Sequence, residues 1–206
     1  MRVLVLTITF ICLVVLKSAA QNKIYADISK NILQLNEAYI NNDYNTFWEL
    51  FPGDFNQFIQ FYGYSRYEQG LPSLYNKYGE HLSYLFSNNF VVDRKHISKL
   101  ISISIGGYWE ADATNLFQNE LRNLLIYYPE LFIMSLLEYS DDSIRKFWEY
   151  ILYAPFPYSE GFENDKGYKE FFRKIKNKIC NKNERICGIV LNVYNDMLQS
   201  CDTHYQ

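Results

Sequence analysis

The sequence predicts an all-α protein of packed antiparallel helix pairs, of the kind stacked in a short α-solenoid, closed by a terminal helical hairpin over 165–201. Three observations predict it. Apolar residues recur at i, i+3, i+4 and i+7 along most of the chain, the spacing of a one-sided helix. Capping residues, prolines and paired glycines or asparagines break these stripes at short intervals. No run alternates apolar and polar residues as a strand would, apart from the brief Ile101 to Ile105.

The first twenty residues stand apart. Arg2, the apolar run Val3 to Leu16 and Ser18-Ala19-Ala20 form the charged, apolar and small-residue parts of a secretion signal. The apolar run is too short to span a bilayer, and no later run reaches about 18 residues, so no transmembrane segment is expected. Export to the periplasm or the outside follows as an expectation. Nineteen asparagines without one Asn-x-Ser/Thr, together with an Asn, Ile, Lys and Tyr bias, favour a bacterial envelope. Residues 21–206 are ample for a single domain with its own core.

Along that domain, Ile24, Ile28, Ile32, Leu35 and Tyr39 mark one helix, ended by Asn41-Asn42-Asp43. Thr46 is placed to cap a short helix carrying Phe47 and Trp48, and Asp54 to cap one carrying Phe55, Phe58 and Tyr62. Residues 63–71 read as a loop. Pro72 then opens a helix with Leu82 and Leu85, and Asp93 one with Ile97, Leu100 and Ile101 that Gly106-Gly107 closes. Phe117, Leu121 and Leu125 mark the next. Pro129 opens a helix apolar around most of its circumference and so expected to be buried. Ser140, Asp141 and Asp142 start the most regular stripe, Ile144, Phe147, Trp148, Ile151 and Leu152, which Pro155 and Pro157 stop. Phe171, Phe172, Ile175 and Ile179, then Ile186, Val190 and Val193, make the two arms of the hairpin. Phe47-Trp48-Glu49 recurs 100 residues later as Phe147-Trp148-Glu149, with Ile97-Ser98-Lys99 midway, which suggests a repeat of about 50 residues.

Three cysteines follow the signal. Cys180 and Cys187 flank the turn at Asn181-Lys182-Asn183, within disulfide reach. Cys201 lies about 21 Å beyond Cys187 if the helix is straight, which leaves Cys180–Cys187 as the pairing. Without a CxxC motif, no metal site is expected there.

Charge is uneven. Residues 166–185 hold eight basic and two acidic residues in a chain of net charge −3. Export and the acidic remainder argue against nucleic acid as the partner of this segment, which reads as a solvated face or one paired with the acidic body.

No catalytic, metal or cofactor motif emerges. His81 and His96 lack HExxH spacing and read as surface or capping residues; no G-x-S-x-G elbow or phosphate loop is present. Two aromatic stretches look like recognition surfaces: Tyr64, Arg66 and Tyr67 between glycines, and Tyr108-Trp109 before a helix. Tyrosine, tryptophan and arginine give large contact areas with polar tips, and the competing role for these rings is to cover the core. The expected function is a non-enzymatic protein-binding domain, in its most concrete form an inhibitor or immunity-type protein. The alternatives are an envelope-polymer hydrolase and a small-ligand or sugar binder.

Overall fold

The computed structural model describes residues 25–87, 90–108, 110, 112–152 and 166–202, with 166–168 and 200–202 as backbone only. The signal-like segment, Trp109, Pro155, Pro157 and the side chain of Cys201 lie outside the described residues. Within them every regular element is a helix.

Helix α1 covers 25–40 and turns Ile32, Leu35 and Ala38 inward. The chain reverses through Asn42, whose φ of 55° is in the left-handed region that asparagine tolerates. Helix α2 (Tyr44–Leu50) then begins earlier than expected. Asp43 is its cap, accepting the Thr46 N–H at 3.1 Å and the Thr46 hydroxyl at 2.6 Å. Thr46 therefore donates to the cap rather than providing it, since a carboxylate is the stronger acceptor for the free N–H groups of a helix start. Helix α3 (Phe55–Tyr62) starts at Asp54 as expected, with Gln57 N donating at 2.8 Å.

The segment expected to be a loop holds a fourth helix, α4 (Tyr64–Glu68), ended near Gly70 at φ +68°. Pro72 opens no helix. Its carbonyl accepts from Arg66, the Ser73 hydroxyl accepts from Tyr75 N at 3.1 Å, and a 3-10 turn at Tyr75–Lys77 leads into α5 (Tyr78–Leu85). Asp93 caps α6 (Arg94–Ser104). The alternating Ile101 to Ser104 is helical, not extended: the Ser104 hydroxyl bonds back to Leu100 O at 2.8 Å, and Leu100, Ile101, Ile103 and Ser104 are all buried.

Then follow α7 (Asp112–Tyr127), α8 (Pro129–Leu136), α9 (Asp141–Leu152), α10 (Lys166–Cys180) and α11 (Glu184–Asp202). Helix α8 is less enclosed than its composition suggests, since Met134 and the following Leu137 are exposed. Helix α6 packs on α3, α8 and α9, α7 on α5, α8, α9 and α10, and α11 on α9 and α10. The inward faces merge into one apolar cluster that includes Phe47, Phe58, Phe117, Phe147, Trp148 and Ile175. Each such side chain contributes roughly 1.5–3 kcal/mol by leaving water. Cys180 and Cys187 are bonded across the α10–α11 turn, with Cα atoms 4.6 Å apart.

The helix ends employ four of the basic side chains. The last carbonyls of a helix have no partner within it, and here side chains from distant helices supply one. Lys99 Nζ donates to Trp48 O at the end of α2 (2.5 Å), Tyr44 OH to Leu85 O at the end of α5 (2.8 Å), and Arg94 Nη2 to Met134 O of α8 (3.1 Å). Lys178 Nζ reaches Ile126 O of α7 at 2.6 Å, and Arg122 Nε reaches Ile151 O of α9 at 2.9 Å. A cation at a helix C-terminus also meets the negative end of the dipole. The basic hairpin is also partly paired with its own chain at the surface: Lys182 with Glu130 at 2.7 Å and Arg185 with Asp141 at 2.6 Å.

Candidate functional site

The surface around α4 combines three exposed features. Gly63 allows α3 to pass into α4 with no spacer, because a Cβ there would stand 2.5 Å from Ile59 O and 3.0 Å from Glu110 Oε2. The turn that follows places Tyr64 and Tyr67, three residues apart, on one side of a short helix. They are 43% and 45% exposed. Tyr75, delivered by the 3-10 turn, packs against both, at 5.2 Å from Tyr64 and 5.3 Å from Tyr67 between ring centroids, and Tyr78 lies 5.8 Å from Tyr75.

Polar bonds hold this group in place. Tyr75 OH donates to Asp112 Oδ2 at 2.8 Å, and that bond, with burial, pushes the phenol up to about 12. Ser65 Oγ donates to Glu110 Oε1 at 3.0 Å. Arg66 is turned away from the rings: it donates to Pro72 O at 3.3 Å and lies 6.0 Å over the Tyr25 ring. Tyr64 and Tyr67 are thus partly exposed while resting on Tyr75, and Arg66 is bonded away from both rings.

Tyr108 is 55% exposed, but its ring meets Phe55 edge-on at 4.9 Å and, among the described residues, no tyrosine of the patch. The two expected surfaces are linked through Glu110 instead, which follows Tyr108 by two residues and bonds to α4. Glu110 and Asp112 lie in the stretch 107–112 that stands out in the sequence for its aromatic pair, not for its carboxylates; Tyr75 and Tyr78 carry no such signal, and long-range packing decides their place.

A second concavity of about 510 Å³ lies where α1, α2 and α3 meet, with Asp27, Asn31, Glu49, Gln57 and Gln60 on its walls and Phe51 and Phe61 among its apolar lining. Lys99 borders it. Burial pushes this amine down to about 8, while it stands 4.8 Å over the Trp48 ring and holds the α2 carbonyls.

His81 corrects the expectation of a surface or capping role. It is fully buried, and its Nδ1 lies 3.0 Å from Tyr62 OH while Nε2 lies 3.3 Å from Asn36 Oδ1. The amide oxygen requires the proton on Nε2, so Nδ1 accepts from Tyr62. Burial pushes the imidazole down to about 4. A neutral histidine sealed among Tyr39, Phe47 and Tyr62 has no route to a substrate. His96 does not cap a helix itself but donates to the cap of α6, its backbone N 2.8 Å and its Nδ1 2.7 Å from Asp93 Oδ1, with its ring 4.4 Å from Trp48.

Among the described residues no group of three or more His, Cys, Asp or Glu side chains is placed to hold a metal ion, and no helix is long and apolar enough to cross a membrane. The chain matches no family model, no curated protein and no solved structure. Its functional reading therefore rests on the geometry of these surfaces.

Proposed function

We propose that this chain is an exported, non-enzymatic protein-binding domain that engages its partner through the tyrosine surface of α4, most concretely as an inhibitor or immunity-type protein. One observation carries the reading: Tyr64 and Tyr67 are exposed yet held by Tyr75, whose own hydroxyl is tied to Asp112. Exposed aromatic rings that are already ordered lose little entropy on binding and supply much of the area of an interface hot spot. The export part rests on the Arg2, Val3–Leu16 and Ser18-Ala19-Ala20 pattern. The reading also takes the helix pairs as a short solenoid-like stack, supported by the recurrence of the capping residues Asp43, Asp93, Ser140 and Asn183 at the starts of α2, α6, α9 and α11.

The test is capture of envelope and secreted proteins on the tagged chain, comparing wild type with a Tyr64→Ala/Tyr67→Ala variant. A stoichiometric partner held by the wild type and lost from the variant, with the urea midpoint of the variant little changed, is the expected result. Equal capture by both proteins would remove the patch from the function.

The cavity bordered by Lys99 favours a second reading, a small polar ligand or sugar, because its walls bring amides and carboxylates together beside apolar side chains. Its test is calorimetric titration of the chain with neutral and amino disaccharides, read against Gln60→Ala.

A further inference from the structure

The tyrosine surface has a definite electrostatic character, and it narrows the chemistry of the partner. Resting on the protein-binding reading above, we infer that the segment seated on this surface is cationic, presenting arginine or lysine to the faces of Tyr64 and Tyr67.

Two independent features converge on that conclusion. The first is the rings themselves. The face of a phenol is the negative part of its quadrupole and attracts a guanidinium or ammonium group. Tyr64, Tyr67 and Tyr75 lie 5.2 to 6.3 Å apart between centroids, so they are packed against one another and leave no cage between them. What they offer is their outer surface, about 40–45% exposed in the two residues of α4.

The second feature is the rim. Glu68 is exposed at the end of α4. Glu110 accepts both Ser65 donors on Oε1, and Asp112 accepts Tyr75 on Oδ2. Each of these two carboxylates keeps its other oxygen without a hydrogen-bond donor among the described residues. The neighbouring cations do not neutralise them: Arg66 is committed to Pro72 O and the Tyr25 ring, and Lys77 is paired with Glu80 at 3.0 Å. Glu110 and Asp112 thus border an aromatic surface whose one nearby guanidinium points elsewhere, and Glu68 adds an exposed negative charge at the end of α4. An acidic segment would meet repulsion from all three. A neutral one would leave the carboxylates unused. A basic one completes both the rings and the rim.

The probes are fluorescein-labelled Gly/Ser nonapeptides carrying three arginines, three lysines or three glutamates, titrated with the chain and followed by fluorescence anisotropy at 20 and 200 mM NaCl. Glu110→Gln/Asp112→Asn removes two of the rim charges, leaving Glu68, while keeping acceptors for Ser65 and Tyr75. The arginine peptide is expected to bind at least tenfold more tightly than the glutamate peptide at low salt. That preference should shrink several-fold at high salt, in the Glu110→Gln/Asp112→Asn variant, and in Tyr64→Ala/Tyr67→Ala. Unchanged arginine binding in the tyrosine variant would show diffuse attraction to an acidic protein and overturn the inference, as would the lack of any arginine preference. Salt-sensitive self-association in sedimentation, lost both in Lys169→Glu/Arg173→Glu and in Tyr64→Ala/Tyr67→Ala, would identify the basic α10 of a second copy as the cationic segment and support the inference. A captured protein partner that depends on Tyr64 and Tyr67, but is indifferent to salt and to Glu110→Gln/Asp112→Asn, would defeat the cationic inference and leave the protein-binding reading intact. Capture indifferent to Tyr64 and Tyr67 would defeat that reading itself.

Discussion

His81 makes the fold sensitive to mild acid, over a pH range whose upper part lies above the titration of ordinary carboxylates. In the native chain it is neutral, fully buried, and held down to about 4 by that burial. In the unfolded chain it returns to about 6.5. Above 6.5 neither state binds the proton and stability is complete. As pH falls from 6.5 towards 4 the unfolded chain gains a proton that the native chain refuses, so stability is lost across that window and falls no further below it through this group. With those two values the loss from pH 7.5 to pH 5.0 is about 2 kcal/mol, and about 3 kcal/mol by pH 4. The carboxylates held below their ordinary values, Asp43, Glu80, Asp93, Glu130 and Glu170, act at lower pH and leave the upper part of the window to His81. Urea unfolding followed by tryptophan fluorescence at pH 7.5, 6.0 and 5.0 measures the effect. His81→Leu should lose about 1–3 kcal/mol at pH 7.5, because Tyr62 and Asn36 are left without their partner, yet be nearly flat between pH 7.5 and 5.0. A wild type that is equally stable at both values, or a His81→Leu variant that keeps the slope, would refute the assignment.

Other substitutions probe the supports of the site. Gly63→Ala drives a Cβ into Ile59 O at 2.5 Å, a backbone atom that cannot swing aside. It should destabilise by about 2–3 kcal/mol in urea and weaken binding at α4 by displacing Glu110. Lys99→Met removes the donor to Trp48 O and the cation over the Trp48 ring; a loss of about 1–2 kcal/mol is expected, with a red shift of tryptophan emission on partial opening of α2. Reducing Cys180–Cys187, which are seven residues apart, should lower stability by at most about 2.5 kcal/mol, the chain-entropy value for so short a loop. Intact mass after alkylation should show two more modified thiols with reduction than without.

The helices were legible because their signals are local. The Ile144, Phe147, Trp148 and Ile151 stripe, and caps such as Asp54 and Asp93, depend on neighbours within a turn or two, and so does the Cys180–Cys187 pairing across a short turn. What was misread depends on residues far away in sequence. Tyr64 to Glu68 looks like a loop because five residues are too few for a helix on their own; Ser65 is held by Glu110, 45 residues on. His81 has no sequence neighbour that explains its burial, since its partners come from Asn36 on α1 and Tyr62 on α3. Tyr64, Arg66 and Tyr67 were recognisable as a group from composition. The carboxylates that give them their character arrive from 110 and 112, by a contact that no spacing rule encodes.

The borrowed helix ends bear on how the chain is made. A ribosome releases residues in order, so α7 emerges with its last carbonyls open and keeps them so until Lys178 follows, 52 residues after Ile126. Helix α2 waits in the same way for Lys99, and the turn before α9 for Arg185. Nascent chains cut short before α10 should therefore be loosely ordered and readily cleaved by protease, with resistance gained late in synthesis. Rather than ratcheting forward one helix pair at a time, maturation should be governed by the emergence of its last basic segment.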